Sequence, residues 1–161
     1  MKQTAWGNAI LEFGTPGAGD TMSATLTKIG EILEETLGIE VEDGTELSLF
    51  EEGHILRDML RQEGTVRING TIIGIPDVVM AEFWDVESAT GKTNVKSMVS
   101  GQKYSVKISV PGQLGSDTLE VPYTSVKLGM AYASNQGWTA PFTFTIMKGA
   151  TDVLFSFGVV E

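Results

Sequence analysis

Few residues in this chain have the types and spacing that catalysis requires. The adjacent acids Glu34-Glu35 and Glu51-Glu52 suggest the paired carboxylates of a hydrolase, but neighbours on one strand point to opposite faces. The sequence Ala89-Thr-Gly-Lys-Thr93 resembles the end of a phosphate-binding loop, yet Val86 occupies the position where that loop needs its first glycine. Neither pattern predicts a catalytic or nucleotide-binding site.

Metal and nucleophile chemistry are limited by composition. The chain has one histidine and no cysteine, which excludes thiolate chemistry, Ser-His-Asp triads and sites with several histidines. His54 and Asp58 have the spacing of a pair on one helix, but a lone histidine is usually structural. Asp43 and its neighbours lack the spaced ligands of a calcium loop. We therefore expect no enzyme activity, no catalytic residue, no metal and no cofactor.

The charge is strongly acidic and unevenly distributed. The net charge is −10, and nine of the 21 acidic residues lie in residues 29–56, a stretch without Lys or Arg. This argues against a protein that holds nucleic acid by its phosphates, but not against one past which nucleic acid slides. The length of 161 residues is typical of a single domain. No secretion signal and no apolar run of about 20 residues is present, so we expect no membrane contact.

The centre of the acidic stretch predicts a protruding β-hairpin over about residues 35–50. A three-residue loop, Glu42-Asp43-Gly44, keeps apolar residues on one face and puts Gly44 at the left-handed position of the turn. Glu40 then lies opposite Glu46, an arrangement of like charges that costs some stability. The simple explanation is that these facing like charges lie on a solvated surface. The alternative is that the acidic face has a function, namely to repel an anion. The face expected to pack on the core comprises Leu37, Ile39, Val41, Leu47 and Leu49, and the acidic face comprises Glu40, Glu42 and Glu46.

The remaining pattern predicts a mainly β protein with one short helix. Pro76 and an acidic first turn predict the helix over about 77–84. Residues 26–37 fit either a helix or a short entry followed by a strand from about Glu34, with the strand favoured by the hairpin parity. Residues 54–62 also have helical spacing. Residues 1–24 are predicted to be a flexible N-terminal arm or loop, within which a short strand at 9–13 runs into the Gly-rich loop. Further strands are expected at 65–75, 95–99, 104–110, 118–121, 125–133, 142–147 and 153–159, the last two as a hairpin.

The order of these features resembles the tail tube (major tail) proteins of long-tailed bacteriophages, particularly those of phages and prophages of Bacteroides-like bacteria. The resemblance covers roughly residues 25–161 and consists of diffuse strand and turn patterns. The segments that carry it are Ile29-Gly30-Glu31-Ile32, Phe50-Glu-Glu-Gly53, Leu56-Arg-Asp58, Phe83-Trp84-Asp85, Val106-Lys-Ile-Ser-Val-Pro111 and Leu119-Glu-Val-Pro-Tyr123.

The resemblance implies an antiparallel β-sandwich or barrel, close to the fold of the type VI secretion tube protein. It implies hexameric rings that stack into a tube, with tape measure, tail tip and tail terminator proteins as partners. Such a subunit is assembled in the bacterial cytoplasm and ends in the virion, where DNA passes through the tube without binding. In this chain Glu40, Glu42 and Glu46 would line the lumen. The loop 14–24 would make the contact between rings, through Gly14, Pro16, Gly17 and Asp20.

A binding module is the alternative expectation. A monomeric β-sandwich that binds a ligand such as a glycan would present exposed aromatic side chains on one face. The candidates are Trp6, Tyr132 and Trp138, which are scattered in the sequence.

Overall fold

The computed structural model describes residues 9–33, 36–51, 55–61, 63–74, 76–98, 102–109, 117–134 and 137–159. Within them lie fourteen strands and one helix, α1 (Asp77–Phe83). The strands are β1 (Ile10–Gly14), β2 (Thr27–Lys28), β3 (Glu31–Ile32), β4 (Gly38–Glu42), β5 (Glu46–Glu51), β6 (Ile55–Arg61), β7 (Thr65–Ile73), β8 (Trp84–Ala89), β9 (Lys92–Met98), β10 (Lys103–Ser109), β11 (Asp117–Leu128), β12 (Ala131–Ala133), β13 (Gly137–Ile146) and β14 (Ser156–Val159).

Ten strands form one curled antiparallel sheet. Its main order is β2-β1-β10-β11-β13-β7-β3, with β4 on β7, β12 on β13 and β14 on β11. The two strands at the ends of this order, β2 and β3, are separated in the chain only by Ile29 and Gly30. Ile29 is fully buried, and Gly30 has a φ of +137°, a conformation that side chains other than glycine rarely adopt. This short segment therefore joins the two sides of the sheet and makes it a half-barrel.

The inside of the curl is the hydrophobic core. Alternate residues of the long strands point inward, as the two-residue period of a strand requires. Helix α1 lies over part of the curl: Val79 and Phe83 are buried, and the Phe83 ring contacts Phe13 and Tyr104 at centroid distances of 5.2 Å each. The largest fully buried side chains include Trp84, Phe144, Leu11, Ile29, Ile68 and Ile72.

Two strand pairs share one continuous register and form a long two-stranded structure. β4 pairs with β7 so that Glu42 lies opposite Thr65, and β5 pairs with β6 so that Glu46 lies opposite Arg61. The step from Glu42 to Glu46 is four residues, as is the step back from Thr65 to Arg61, so no register shift separates the pairs. We call β5 and β6 the ribbon. The six residues of β5 give the ribbon a length of about 20 Å.

The predicted hairpin is therefore wrong in its pairing. Residues 37–41 do not pair with 45–49: Ile39 lies opposite Ile68 and Val41 opposite Val66. Asp43 and Gly44 lie at an interruption within the long strand pair and not at its turn. The connection between β5 and β6 falls at 52–54, which lie outside the described residues.

The two ambiguous segments are strands where they are described. Residues 55–61 form β6 and not a helix, because pairing with β5 overrides the local helical spacing. Residues 26–33 contain the short strands β2 and β3 and no helix, and the strand expected from about Glu34 is β4, which begins at Gly38. Glu34 and Glu35 lie outside the described residues.

The mainly β fold class with a short helix at 77–84 is confirmed. The strand expected at 118–121 and the first part of that expected at 125–133 form one strand, β11, from Asp117 to Leu128. The end of the second expected strand is separate and forms β12. The expected hairpin of 142–147 with 153–159 is wrong: β14 pairs with β11, placing Phe157 opposite Leu119. The strand β8, which pairs with β9, was not predicted.

Candidate assembly surfaces

The β4–β5 and β6–β7 strands carry an apolar face and a charged face. Cross-strand partners share a face in an antiparallel pair. The buried Ile68 shows that the face containing Ile39 and Val41 is continuous with the core. On the ribbon, Leu47 and Leu49 are two residues apart and therefore point to one face, together with their cross-strand partners Leu60 and Asp58. On the other face, β4 carries Glu40 and Glu42, and β5 carries Glu46.

The pairing of the acids differs from the prediction, because basic residues lie opposite two of them. Glu40 is opposite Arg67 and Glu46 is opposite Arg61, so the expected Glu40–Glu46 pair does not form. Glu42 Oε2 lies 2.6 Å from Arg67 Nη1, and Asn69 Nδ2 donates a hydrogen bond of 3.0 Å to Glu40 Oε2. The hydrogen bond to Glu42 and the charge of that carboxylate raise the pKa of Arg67. All these groups lie on the face turned away from the core.

The apolar face is uncovered over most of its length. Only Leu37, among the five residues expected to pack on the core, is partly buried against it. The prediction is wrong for the other four, because Ile39, Val41, Leu47 and Leu49 are at least half exposed, with Leu49 at 65%. The core ends at Ile68 and Val66, and the strands continue beyond it. On the ribbon, Leu60 is also exposed on this face, whereas Phe50 and Met59 are exposed on the opposite face.

An apolar groove opens at the same end of the half-barrel as the ribbon. It has a volume of about 350 Å³ and lies between β4 on one side and β10, β11 and β14 on the other. Among the described strands, β4 pairs only with β7 and β14 pairs only with β11, so each has one unpaired edge. We call this apolar groove the mouth groove. Its lining residues are Leu37, Gly38, Ile39, Ile108, Ser109, Leu119 and Phe157.

A second apolar depression lies at the opposite end of the sheet. There Thr139 of β13 lies opposite Ile73 of β7, and Trp138, the preceding residue, lies opposite Tyr132 of β12. The two rings are 5.3 Å apart in a T-shaped contact, and the side chains are 65% and 63% exposed. Beside them is a cavity of about 260 Å³, which we call the slot. It is lined by Met80, Thr93, Val95, Met130 and Trp138.

The loop expected to contact a neighbouring ring is held within the subunit. Asp20 Oδ2 accepts a 2.7 Å hydrogen bond from the Ala150 amide, and the Gly17 amide donates one of 2.9 Å to Thr21. Gly14 belongs to β1, and a Cβ there would lie 2.2 Å from the Thr25 carbonyl oxygen. Pro16 lies between them and is half-buried. Residues 9–24 therefore form a strand and an anchored loop, whereas residues 1–8 lie outside the described part.

Chemistry-bearing groups are sparse among the described residues. No group of three or more His, Asp or Glu side chains among them could hold a metal ion. His54 lies outside the described residues, and its expected partner Asp58 is on a strand, where its carboxylate accepts a hydrogen bond from the Met59 amide. Tyr104 is buried between Phe13 and Phe83 and donates to Gln102. Burial, with the charge of Glu82, raises the pKa of Tyr104 to about 12.

The fold and these surfaces define an antiparallel half-barrel with an exposed amphipathic ribbon and two apolar openings at opposite ends. No protein-family model matches the chain, and no curated protein matches it. In the described part of the chain, no helix has the length and hydrophobicity needed to cross a membrane.

Proposed function

We propose that the protein is a structural subunit of a phage tail tube, which assembles into stacked hexameric rings around a lumen for DNA. The observation that carries the proposal is the amphipathic ribbon. A two-stranded ribbon is marginally stable alone in water, and its uncovered apolar face needs a partner surface. A subunit of a larger assembly has such a partner, whereas a monomer leaves this face in water.

The unpaired strand edges support closure into a ring. An open edge pairs readily with a strand of another molecule, and a closed ring of subunits removes that hazard. β4 and β14 each offer such an edge, on either side of the mouth groove. A contact between different edges of neighbouring copies is heterologous, and it gives a closed ring when the rotation between copies divides a full turn.

The acids on the ribbon support a role beside DNA. Duplex DNA carries about one negative charge per 1.7 Å of its axis, so a basic bore would retain it at every ring. Glu40, Glu42 and Glu46 lie on the face opposite the core, where a sixfold ring would repeat them around the bore. Arg67 and Arg61 occupy the positions opposite Glu40 and Glu46, so these five residues carry a formal net charge of −1 per copy.

The proposal is tested by the size and shape of the purified chain. Light scattering combined with negative-stain electron microscopy, over a range of protein concentrations, should detect rings or tubes. A matched variant, Leu47→Ser with Leu49→Ser, removes the apolar face and should remain folded by circular dichroism while assembling poorly. A chain that stays monomeric at every concentration, even with preformed tail tips as nuclei, would contradict the proposal. A tape-measure-sized reading frame beside the gene would support it.

A glycan-binding module is the second candidate. The observation that favours it is the exposed Tyr132–Trp138 pair, two of the three aromatic candidates, beside the slot. Aromatic faces of this kind stack on sugar rings, but few polar groups surround the slot to hold hydroxyls in place. Trp6 lies outside the described residues. A strict monomer that binds on a glycan array, and loses binding in Trp138→Ala, would favour this function over assembly.

A further inference from the structure

We infer that residues 1–8 fold back over the mouth groove of their own chain, with Trp6 in the groove, and block assembly through the strand edges beside it. We call these residues the N-terminal segment. The inference rests on the proposed function, which it deepens by naming a contact that keeps free subunits apart until the contact is displaced.

The point where the N-terminal segment joins the described chain carries the inference. Ile10, the first residue of β1, lies opposite Ser109, the last residue of β10. Ser109 and its neighbour Ile108 line the mouth groove. Because β1 runs from this end of the half-barrel towards the other end, the residues that precede it start beside the mouth groove.

The reach of the N-terminal segment matches the width of the mouth. One row of cross-strand partners runs from β1 through β10 and β11 to β14, and it comprises Leu11, Ile108, Leu119 and Phe157. Neighbouring strands lie about 4.8 Å apart, so this row is about 14 Å wide. The four residues from Ile10 back to Trp6 span about 13 Å when extended. Trp6 therefore reaches the groove without any displacement of β1.

The mouth groove suits one large aromatic side chain. Its described lining is apolar except for Ser109, and its volume of about 350 Å³ exceeds the roughly 150 Å³ of a cavity that takes up benzene. Trp6 is the one aromatic residue in the N-terminal segment. A buried indole N–H usually has an acceptor, and the unpaired edges of β4 and β14 present free carbonyl groups on either side of the groove.

Charge and tethering favour the segment of the same chain over a second copy. Residues 1–8 contain Lys2 and no acidic residue, whereas the whole chain carries a net charge of −10. The rest of the chain therefore attracts the segment, while a second copy that approaches the same edges is repelled. A tether of a few residues also gives an effective concentration in the millimolar range.

A covered groove explains how a free subunit would protect two open edges. Such edges pair with other molecules unless something covers them. A segment that lies between β4 and β14 occupies the space that a neighbour's strand needs, so ring closure requires its displacement. The N-terminal segment is then an autoinhibitory contact built into the subunit.

Deletion of residues 1–8 tests the block. We expect the deletion to lower the threshold concentration for assembly about 10-fold or more, as loss of a buried tryptophan contact implies, in light scattering on protein that remains folded by circular dichroism. Trp6→Ala should lower the threshold in the same way. Thr4→Ala changes the same segment without removing its aromatic residue, and it should leave the threshold unchanged.

Cysteine cross-linking tests the position of the segment, since the chain has no cysteine of its own. Gly38 lines the groove on β4, and nothing lies near the position of its Cβ. In dilute protein, we expect a short bismaleimide to join Ala5→Cys to Gly38→Cys within one chain, and the rate to fall about 10-fold when Trp6→Ala is added. Ala5→Cys with Tyr132→Cys, at the opposite end of the sheet, is the control and should not cross-link.

The outcomes separate the inference from the proposed function. Rings or tubes that form at the same threshold with and without residues 1–8, together with a cross-linking rate independent of Trp6, overturn the inference and leave the proposed function standing. Cross-links that join only different chains assign the groove to a second copy and also overturn the inference. A threshold lowered by Leu114→Ala but not by Trp6→Ala assigns the groove to residues 110–116, with the same consequence. A chain that never assembles, with or without residues 1–8, overturns both.

Discussion

The Arg67 guanidinium lies 2.6 Å from the Glu42 carboxylate, at the base of the ribbon. Glu40 is directly opposite Arg67 in the same strand pair, so one cation lies beside two acids. Both partners are substantially exposed, and solvent screens such pairs strongly. The ion pair therefore adjusts the charge of this face more than it stabilises the fold.

Reversing the acidic charge should convert a surface that repels DNA into one that binds it. In Glu40→Lys with Glu46→Lys, we expect assembled tubes to retain duplex DNA and phage infectivity to fall. Binding of DNA to purified tubes, measured at several salt concentrations, checks this, because phosphate contacts weaken steeply with salt.

The control for charge reversal is Glu82→Lys with Asp85→Lys, an equal change of charge at exposed positions of α1 and β8. If the control and the ribbon variant bind DNA equally, net charge explains the effect. Unaltered infectivity of the ribbon variant would refute the assignment of these acids to a lumen.

Gly70 makes room for Phe142, and a methyl group there should destabilise the core. The two residues are opposite each other on β7 and β13, and a Cβ on Gly70 would lie 2.4 Å from the Phe142 ring. We expect Gly70→Ala to lower the free energy of unfolding by about 1–3 kcal/mol, measured by urea denaturation. Gly38→Ala is the matched control, since nothing lies near its Cβ, and it should change stability little. A further Phe142→Leu substitution should recover part of the loss in Gly70→Ala.

Tyr104 should make the protein less stable in alkali. Burial raises its pKa from 10.0 to about 12 in the folded state, so the unfolded chain loses the phenolic proton first. The contribution is fully present below pH 10 and is lost as the pH rises towards 12. Tyr104→Phe should therefore show a smaller loss of stability between pH 9 and 12, in thermal unfolding by circular dichroism. An equal loss in Tyr104→Phe and Tyr132→Phe would show that Tyr104 is not responsible.

Salt should promote assembly if apolar contacts hold the copies together. Each copy carries a net charge of −10, so neighbours repel one another. Raising the ionic strength from about 0.1 M to 1 M shortens the Debye length from about 10 Å to 3 Å and reduces that repulsion. Sedimentation velocity should show a lower threshold concentration for assembly at high salt. Dissociation of the assembly by salt would instead indicate an interface made of ion pairs.

The sequence alone determined the local features. Odd-numbered apolar and even-numbered acidic residues between Leu37 and Leu49 set the two faces of the strands, because the side-chain period of a strand is two. Pro76 and Asp77 set the start of α1, because proline and an acidic residue suit a helix N-terminus. These features depend only on neighbours in the chain.

Only the tertiary structure decided which strands pair. The alternation of Ile39 and Val41 suits any antiparallel strand whose apolar residues alternate in the same way. The local pattern therefore does not distinguish pairing with residues 45–49 from pairing with β7. The choice falls to β7 because Ile68 and Val66 lie on its core-facing side and give β4 a place beside the buried sheet. The same burial ends before Leu47 and Leu49, which is why residues with a core-like pattern are exposed. Strand pairing draws its free energy from contacts between residues far apart in the chain, and no local pattern contains that information.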